Sequence, residues 1–120
     1  MRILCGVDMV LDSRIAQDLG DRSFVSRIYH RSELGRMDAK KLAGIFALKE
    51  AVFKALDVPA GHWLDVEVSY RRTGKPRIEL SGAIRREGIS SIDCSVSHEG
   101  GMTQAMVVIL LGDDQTKNSM

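Results

Sequence analysis

A carboxylate in the middle of an apolar strand is costly unless it meets something positive. Asp8 sits in such a run, RILCGVDMV at residues 2–10. Aspartate is depleted from strands and expensive to bury unpaired, so Asp8 either lies at a solvent-facing strand end or holds a cation. A second ionisable group, Lys49, Glu50 and Lys54, falls among apolar residues later in the chain. Lys54 follows Glu50 by four residues, the acid-then-base order that favours a helical ion pair. Taken alone, such a pair is a surface contact worth about 0.2–0.5 kcal/mol on an isolated helix. Lys40 and Lys41 form a third feature, two cations in the first turn of the same helix, where the macrodipole is already positive and an anion would be welcome.

The element that must position these groups runs from Asp38 to Leu56. Leu42, Ile45, Phe46, Val52, Phe53 and Leu56 recur at three- and four-residue intervals, which predicts one amphipathic helix. Asp38 suits its N-cap, and Asp57, Val58, Pro59, Ala60 and Gly61 stop it, since proline cannot continue a helix. Upstream, residues 2–10 predict a strand and residues 13–34 two or three short helices broken at Gly20. Arg14, Arg22, Arg27, Arg31 and Arg36 are scattered along this part of the chain as a solvated polar face would have them. Downstream, residues 63–70 alternate as a half-buried strand, Thr73 to Pro76 make a turn with Lys75 at its tip, and residues 77–80 return as the second arm of a hairpin. Residues 92–98 and 104–111 predict two more strands, the last so continuously apolar that a central position buried on both faces is expected. Strand, helical block, then strands predicts an α+β fold with the long helix on an antiparallel sheet. Residues 1–111 are read as one domain and 112–120 as a polar tail.

The 120 residues form a single domain small enough that a site shared between subunits is a natural expectation. Residues 1–54 carry ten Lys or Arg against seven Asp or Glu, +3, and the remainder seven against nine, −2, which gives the net +1. That contrast is too weak for a nucleic-acid surface but sufficient for an acidic protein partner. Cys5 and Cys94 have neither metal-ligand nor disulfide spacing and read as buried thiols in a reducing compartment. With no signal-peptide pattern and no run of about 20 apolar residues, a cytoplasmic location and no membrane partner are expected.

Four stretches in one order, GVDMV at 6–10, FVSRIYHRSE at 24–33, AGIFALKEAVFKAL at 43–56 and SVSHEGG at 95–101, with the turn GKP at 74–76, resemble the phosphopantetheinyl transferases of the holo-acyl-carrier-protein synthase type. The resemblance spans nearly the whole chain. It implies the 4'-phosphopantetheinyl transferase fold and transfer of the phosphopantetheine arm of coenzyme A to a serine of an acyl or peptidyl carrier protein, releasing adenosine 3',5'-bisphosphate. It further implies that Asp8 and Glu50 match metal-binding acids, for which Mg²⁺ suits hard carboxylate oxygens. Lys54 matches a phosphate-contacting lysine with Lys49 beside the metal acid, and Gly74, Lys75, Pro76 and His98 match positions lining the nucleotide site. Asp8, Glu50 and Lys54 are the implied catalytic set, with Glu50 and a metal-bound water both candidates for the base that takes the serine proton. Arg14, and more weakly Arg22 and Arg27, match carrier-docking positions. Short members of the family are trimers with sites between subunits, so a homotrimer is implied.

Three residues depart from the family pattern: Ile45 stands where an arginine near the phosphates is common, Leu11 where an acid is common, and Glu99 where a small hydroxyl residue follows the histidine. Lys40, Lys41 or Arg36 can supply the missing cation. A divergent homologue that binds carrier protein or nucleotide without turnover, as a scaffold or assembly subunit, is the alternative.

Overall fold

The computed structural model describes residues 1–35 and 38–112. The expectations for Arg36 and for a polar tail beyond residue 112 fall outside those residues. Strand β1 (Arg2–Leu11) leads into three short helices, α1 (Asp12–Asp18), α2 (Arg22–Ile28) and α3 (Arg31–Leu34), and then the long α4 (Ala39–Leu56). Two hairpins follow, β2 (Val66–Tyr70) with β3 (Pro76–Leu80), and β4 (Ile89–Glu99) with β5 (Met102–Leu111). β1 pairs antiparallel with β5, so the first sheet has the order β1-β5-β4, and β2-β3 forms a second, two-stranded sheet.

Asp38 caps α4 as expected, its Oδ1 accepting from the Lys40 and Lys41 amides at 2.9 and 3.3 Å. The helix is less amphipathic than its spacing implies. Every residue from Leu42 to Lys49 is buried, because the sheet covers one side while α1 and the 3-10 turn before β2 cover others. Ala43, Ala47, Ala51 and Ala55, spaced by four, make one side of α4 small. There β1 comes close: a Cβ on Gly6 would collide with the Ala51 carbonyl and press on the Ala55 amide. Gly6→Ala is therefore expected to push β1 off α4 and destabilise the fold by about 1–3 kcal/mol, the usual cost of overpacking, as read by thermal unfolding.

Three further sequence expectations need correction. Residues 63–65 form a 3-10 turn and not the start of a strand. The Trp63 ring stacks on Phe46 and meets Phe53 edge-on, each at 5.1 Å, and this packing under α4 fixes the turn. β5 is central, but only one of its faces is buried. Thr103, Ala105, Val107 and Ile109 point to α4, whereas Met102 and Met106 are exposed opposite. The same outer face carries Ile3, Val7, Met9 and Leu11 of β1, all exposed, and Cys5, expected to be buried, is exposed there because strand alternation turns it away from α4, while Cys94 is buried as expected.

Candidate active site

The close contact of β1 with α4 brings Asp8 to Lys54. The Lys54 ammonium donates to Asp8 Oδ1 at 3.1 Å and to the Val7 carbonyl at 3.0 Å. Of the two alternatives for Asp8, the cation partner is the one realised, in mid-strand, with the carboxylate side chain only 14% exposed. Glu50, one turn before Lys54, is half-buried. Burial first, and then the Asp8 charge, push its carboxyl above the usual range, while Lys54 and Arg14 pull it back. Arg14 reaches this cluster from α1, with its guanidinium carbon 5.7 Å from the Phe46 ring centre. Arg22 and Arg27, both exposed on α2, are not among the charges acting on Glu50.

Two carboxylates close across a strand and a helix, with the Asp8 charge helping to raise the proton affinity of Glu50, are a donor set suited to a hard divalent cation. Among the described residues there is no cluster of three or more His, Cys, Asp or Glu, so Asp8 and Glu50 can supply only part of a coordination shell. That fits Mg²⁺, which keeps several waters and takes substrate phosphate oxygens.

Toward the start of α4, where Gly44 comes six residues before Glu50, opens a cleft of 520 Å³ lined by Lys40, Lys41, Gly44, Gly74, Pro76 and His98, together with Asp38, Tyr70 and Val96. It gathers the two first-turn lysines with three residues of the implied nucleotide site. Lys41 Nζ lies 4.5 Å from the centre of the Tyr70 ring, and burial pushes the Tyr70 phenol up to about 12. Gly74 adopts φ 91°, a left-handed conformation that lets the hairpin turn close, with its amide donating to the Arg71 carbonyl at 2.8 Å. His98 Nδ1 lies 2.7 Å from Thr103 Oγ1, and that hydroxyl donates to Asp12 Oδ1 at 2.5 Å. Glu99, next in an alternating strand, falls on the opposite side of the sheet from His98. Ile45 is fully buried, leaving Lys40 and Lys41 as the lysines that line the cleft among the described residues.

Two implied site residues lie elsewhere. Lys49 is fully buried and does not reach either the acids or the cleft. Its ammonium donates to the Ile28 carbonyl at 2.7 Å, to Glu33 Oε1 at 2.8 Å and to the Trp63 carbonyl at 3.1 Å. Neighbours one position apart on a helix face about 100° apart, so Lys49 and Glu50 cannot serve one surface site together. Lys75 reaches across the hairpin tip to the Cys94 carbonyl at 3.0 Å and Asp93 Oδ1 at 3.1 Å, lining a separate hollow of 420 Å³. That contact holds the exposed Asp93 carboxyl below its usual range.

Three residues were not singled out from sequence. Glu33 lies inside one of the quoted stretches, and its placement three residues after His30 is a capping signal: Glu33 Oε1 accepts from the His30 amide at 2.7 Å. Asp12 and Thr103 are 91 positions apart and had no local signal at all.

The sequence profile of the 4'-phosphopantetheinyl transferase superfamily matches residues 4–106. The holo-acyl-carrier-protein synthase of Frankia casuarinae is 38% identical over 109 residues, covering 86% of this chain and 92% of that protein. That of Treponema denticola is 36% identical over 116 residues, 87% and 94% of the two chains. The crystal structure of Helicobacter pylori holo-acyl-carrier-protein synthase in complex with coenzyme A superimposes with a TM-score of 0.80 at 34% identity, over 89% of this chain and all of that one. A Bacillus anthracis synthase in complex with coenzyme A (3',5'-ADP) gives 0.75 at 28% identity, over 88% and 94%. With the α+β layout, the strand aspartate facing a helical Glu-Lys pair and the profile match over most of its length, the chain belongs to the 4'-phosphopantetheinyl transferase superfamily.

Proposed function

We propose that this protein moves the 4'-phosphopantetheine arm of coenzyme A to a serine hydroxyl of an apo acyl or peptidyl carrier protein and releases adenosine 3',5'-bisphosphate. The observation that carries it is that one helix holds Glu50 and Lys54 against the strand carboxylate Asp8 and, from its first turns, lines a cationic cleft of nucleotide size, in a chain of this family. The serine oxygen forms a bond to the phosphorus that bears pantetheine, and the bond from that phosphorus to the bridging oxygen breaks. Negative charge grows on the departing bisphosphate, and Lys54, with its ammonium on the same surface as Asp8, neutralises it. Lys40 and Lys41 hold the nucleotide end of the substrate in the cleft, in the role of the arginine that Ile45 replaces. Asp8 and Glu50 would hold Mg²⁺, which when bound stabilises charge on the pyrophosphate. Glu50, with its raised proton affinity, can also take the serine proton. Mass spectrometry of an apo carrier protein incubated with coenzyme A and Mg²⁺ tests the function: gain of the phosphopantetheine mass supports it, and an unmodified carrier contradicts it.

The carrier approaches over α1. Carrier proteins of this kind are acidic, and Arg14 is 60% exposed, tied only loosely to Asp18 at 3.9 Å, beside the acid pair where the serine must arrive. Arg14→Glu is expected to raise the KM for carrier about tenfold with little change in that for coenzyme A, because like charges then face each other and steering is lost. Arg22 and Arg27 act more weakly. Steady-state kinetics with varied carrier, repeated at rising salt, reads the effect.

We also infer a homotrimer with sites between subunits. Ile3, Val7, Met9, Leu11 and Met106 leave one sheet face apolar and exposed in the single chain, an area that self-association would cover. Light scattering is expected to give a trimer, and a stable, fully active monomer would overturn this. No helix of the described residues is long and apolar enough to cross a membrane. A reaction on coenzyme A and a carrier protein supports a cytoplasmic location.

A further inference from the structure

His98 enters the cleft with its two ring nitrogens in different circumstances. Thr103 lies directly opposite it in the β4-β5 ladder and is fully buried on the inner face of the sheet. Its hydroxyl sits 2.7 Å from His98 Nδ1 and 2.5 Å from Asp12 Oδ1. A hydroxyl has one proton to give, and an ionised carboxylate can only accept, so that proton goes to Asp12. The contact with His98 is then made only if Nδ1 carries hydrogen and donates to Thr103 Oγ1. The chain of donors runs one way, from imidazole to hydroxyl to carboxylate. Asp12 is itself fixed, its amide donating to the Gly101 carbonyl at 2.9 Å beside the β4-β5 turn.

We infer that Asp12 and Thr103 are positioning residues that hold the His98 ring with hydrogen on Nδ1, so that Nε2 is the nitrogen offered to an anionic phosphate of the bound nucleotide. This rests on the cleft being the nucleotide site of the proposed transferase. Among the described residues Nε2 has no protein hydrogen-bond partner. The ring abuts α4 at Gly44, where an added Cβ would lie 3.9 Å from His98 Cε1. Glu50 is six residues further along that helix, about 9 Å along its axis at the usual rise. His98 therefore serves the nucleotide end of the substrate and not the reacting phosphorus. Lys40 and Lys41 line the same cleft, so an anion seated there meets both ammonium groups and Nε2. In the neutral ring Nε2 holds a lone pair and only accepts, so the anion is met by the imidazolium, which takes a second proton from solvent at Nε2 and donates it in a charged hydrogen bond, with the counter-charge held at Asp12 through the hydroxyl.

The test compares Thr103→Val, which keeps the shape and removes the hydroxyl, with Thr103→Ser, which keeps the hydroxyl. Nitrogen-15 NMR of the free wild-type protein is expected to show neutral His98 protonated at Nδ1, and Thr103→Val to lose that preference. In kinetics, Thr103→Val is expected to raise the KM for coenzyme A about tenfold with kcat little changed, and Thr103→Ser to restore both tautomer and KM. Wild-type His98 found protonated at Nε2, or a Thr103→Val enzyme with unaltered KM, overturns the inference. The NMR result needs no turnover, so a wild-type protein that fails to modify any carrier would sink the transferase reading while leaving the orientation of His98 to be decided separately.

Discussion

Replacement of Asp8 or Glu50 by alanine is expected to lower phosphopantetheine transfer by at least about a hundredfold, the loss that follows removal of one group stabilising charge in a transition state. Folding should survive both changes. The partner that Asp8 leaves behind is Lys54, whose side chain is 54% exposed and is readily solvated. With its lysine partner open to water, the pair contributes on the order of 1 kcal/mol. Glu50 is held with its proton affinity raised, first by burial and then by Asp8, so the fold gains nothing from its charge and its removal relieves repulsion. Activity lost with thermal unfolding unchanged is the expected combination. Near-normal turnover in both variants would remove the acids from the mechanism.

The opposite pattern is expected at Lys49, the residue next to Glu50. Lys49→Met leaves the Glu33 carboxylate buried without its cation and should cost about 3–5 kcal/mol. Every atom of this network is spoken for. Glu33 Oε2 accepts from the Val68 amide at 2.7 Å while Oε1 takes both Lys49 and the His30 amide. The pair thus joins α3 and α4 to the middle of β2 in the hairpin sheet. Burial pulls the Lys49 ammonium down from its ordinary value, and the bond to Glu33 opposes that. A fall in melting temperature on the order of 10 °C is expected. Adding Glu33→Gln should return part of it, because the unpaired buried charge is then gone. A Lys49→Met protein as stable as wild type but unable to bind coenzyme A would restore Lys49 to the nucleotide site.

The contrast between adjacent residues shows what the sequence could and could not convey. Periodicity located α4 and its caps, since both depend on residues within one turn of each other. The Asp8 anomaly was legible because a strand carboxylate is expensive wherever the fold puts it. Which face each lysine takes was not legible. Lys49 and Lys54 look alike in a pattern of charges, and only the packing of α2, α3 and the Trp63 turn over one side of α4 makes the first internal and leaves the second on the surface. The partner of Lys75 was not legible for a similar reason, since its reach to Asp93 depends on the hairpin lying beside β4. The Asp12 and Thr103 support of His98 joins the two ends of the chain through sheet register, a relation no local window contains.

As proposed above, Asp8 and Glu50, brought together by the close approach of β1 to α4, form the cation site of the transferase. Mn²⁺ titration in the presence of coenzyme A, followed by its enhancement of water-proton relaxation, tests this without relying on turnover. Binding by the wild-type protein that disappears in both Asp8→Ala and Glu50→Ala is the expected result. Undiminished Mn²⁺ binding by the two variants would contradict it.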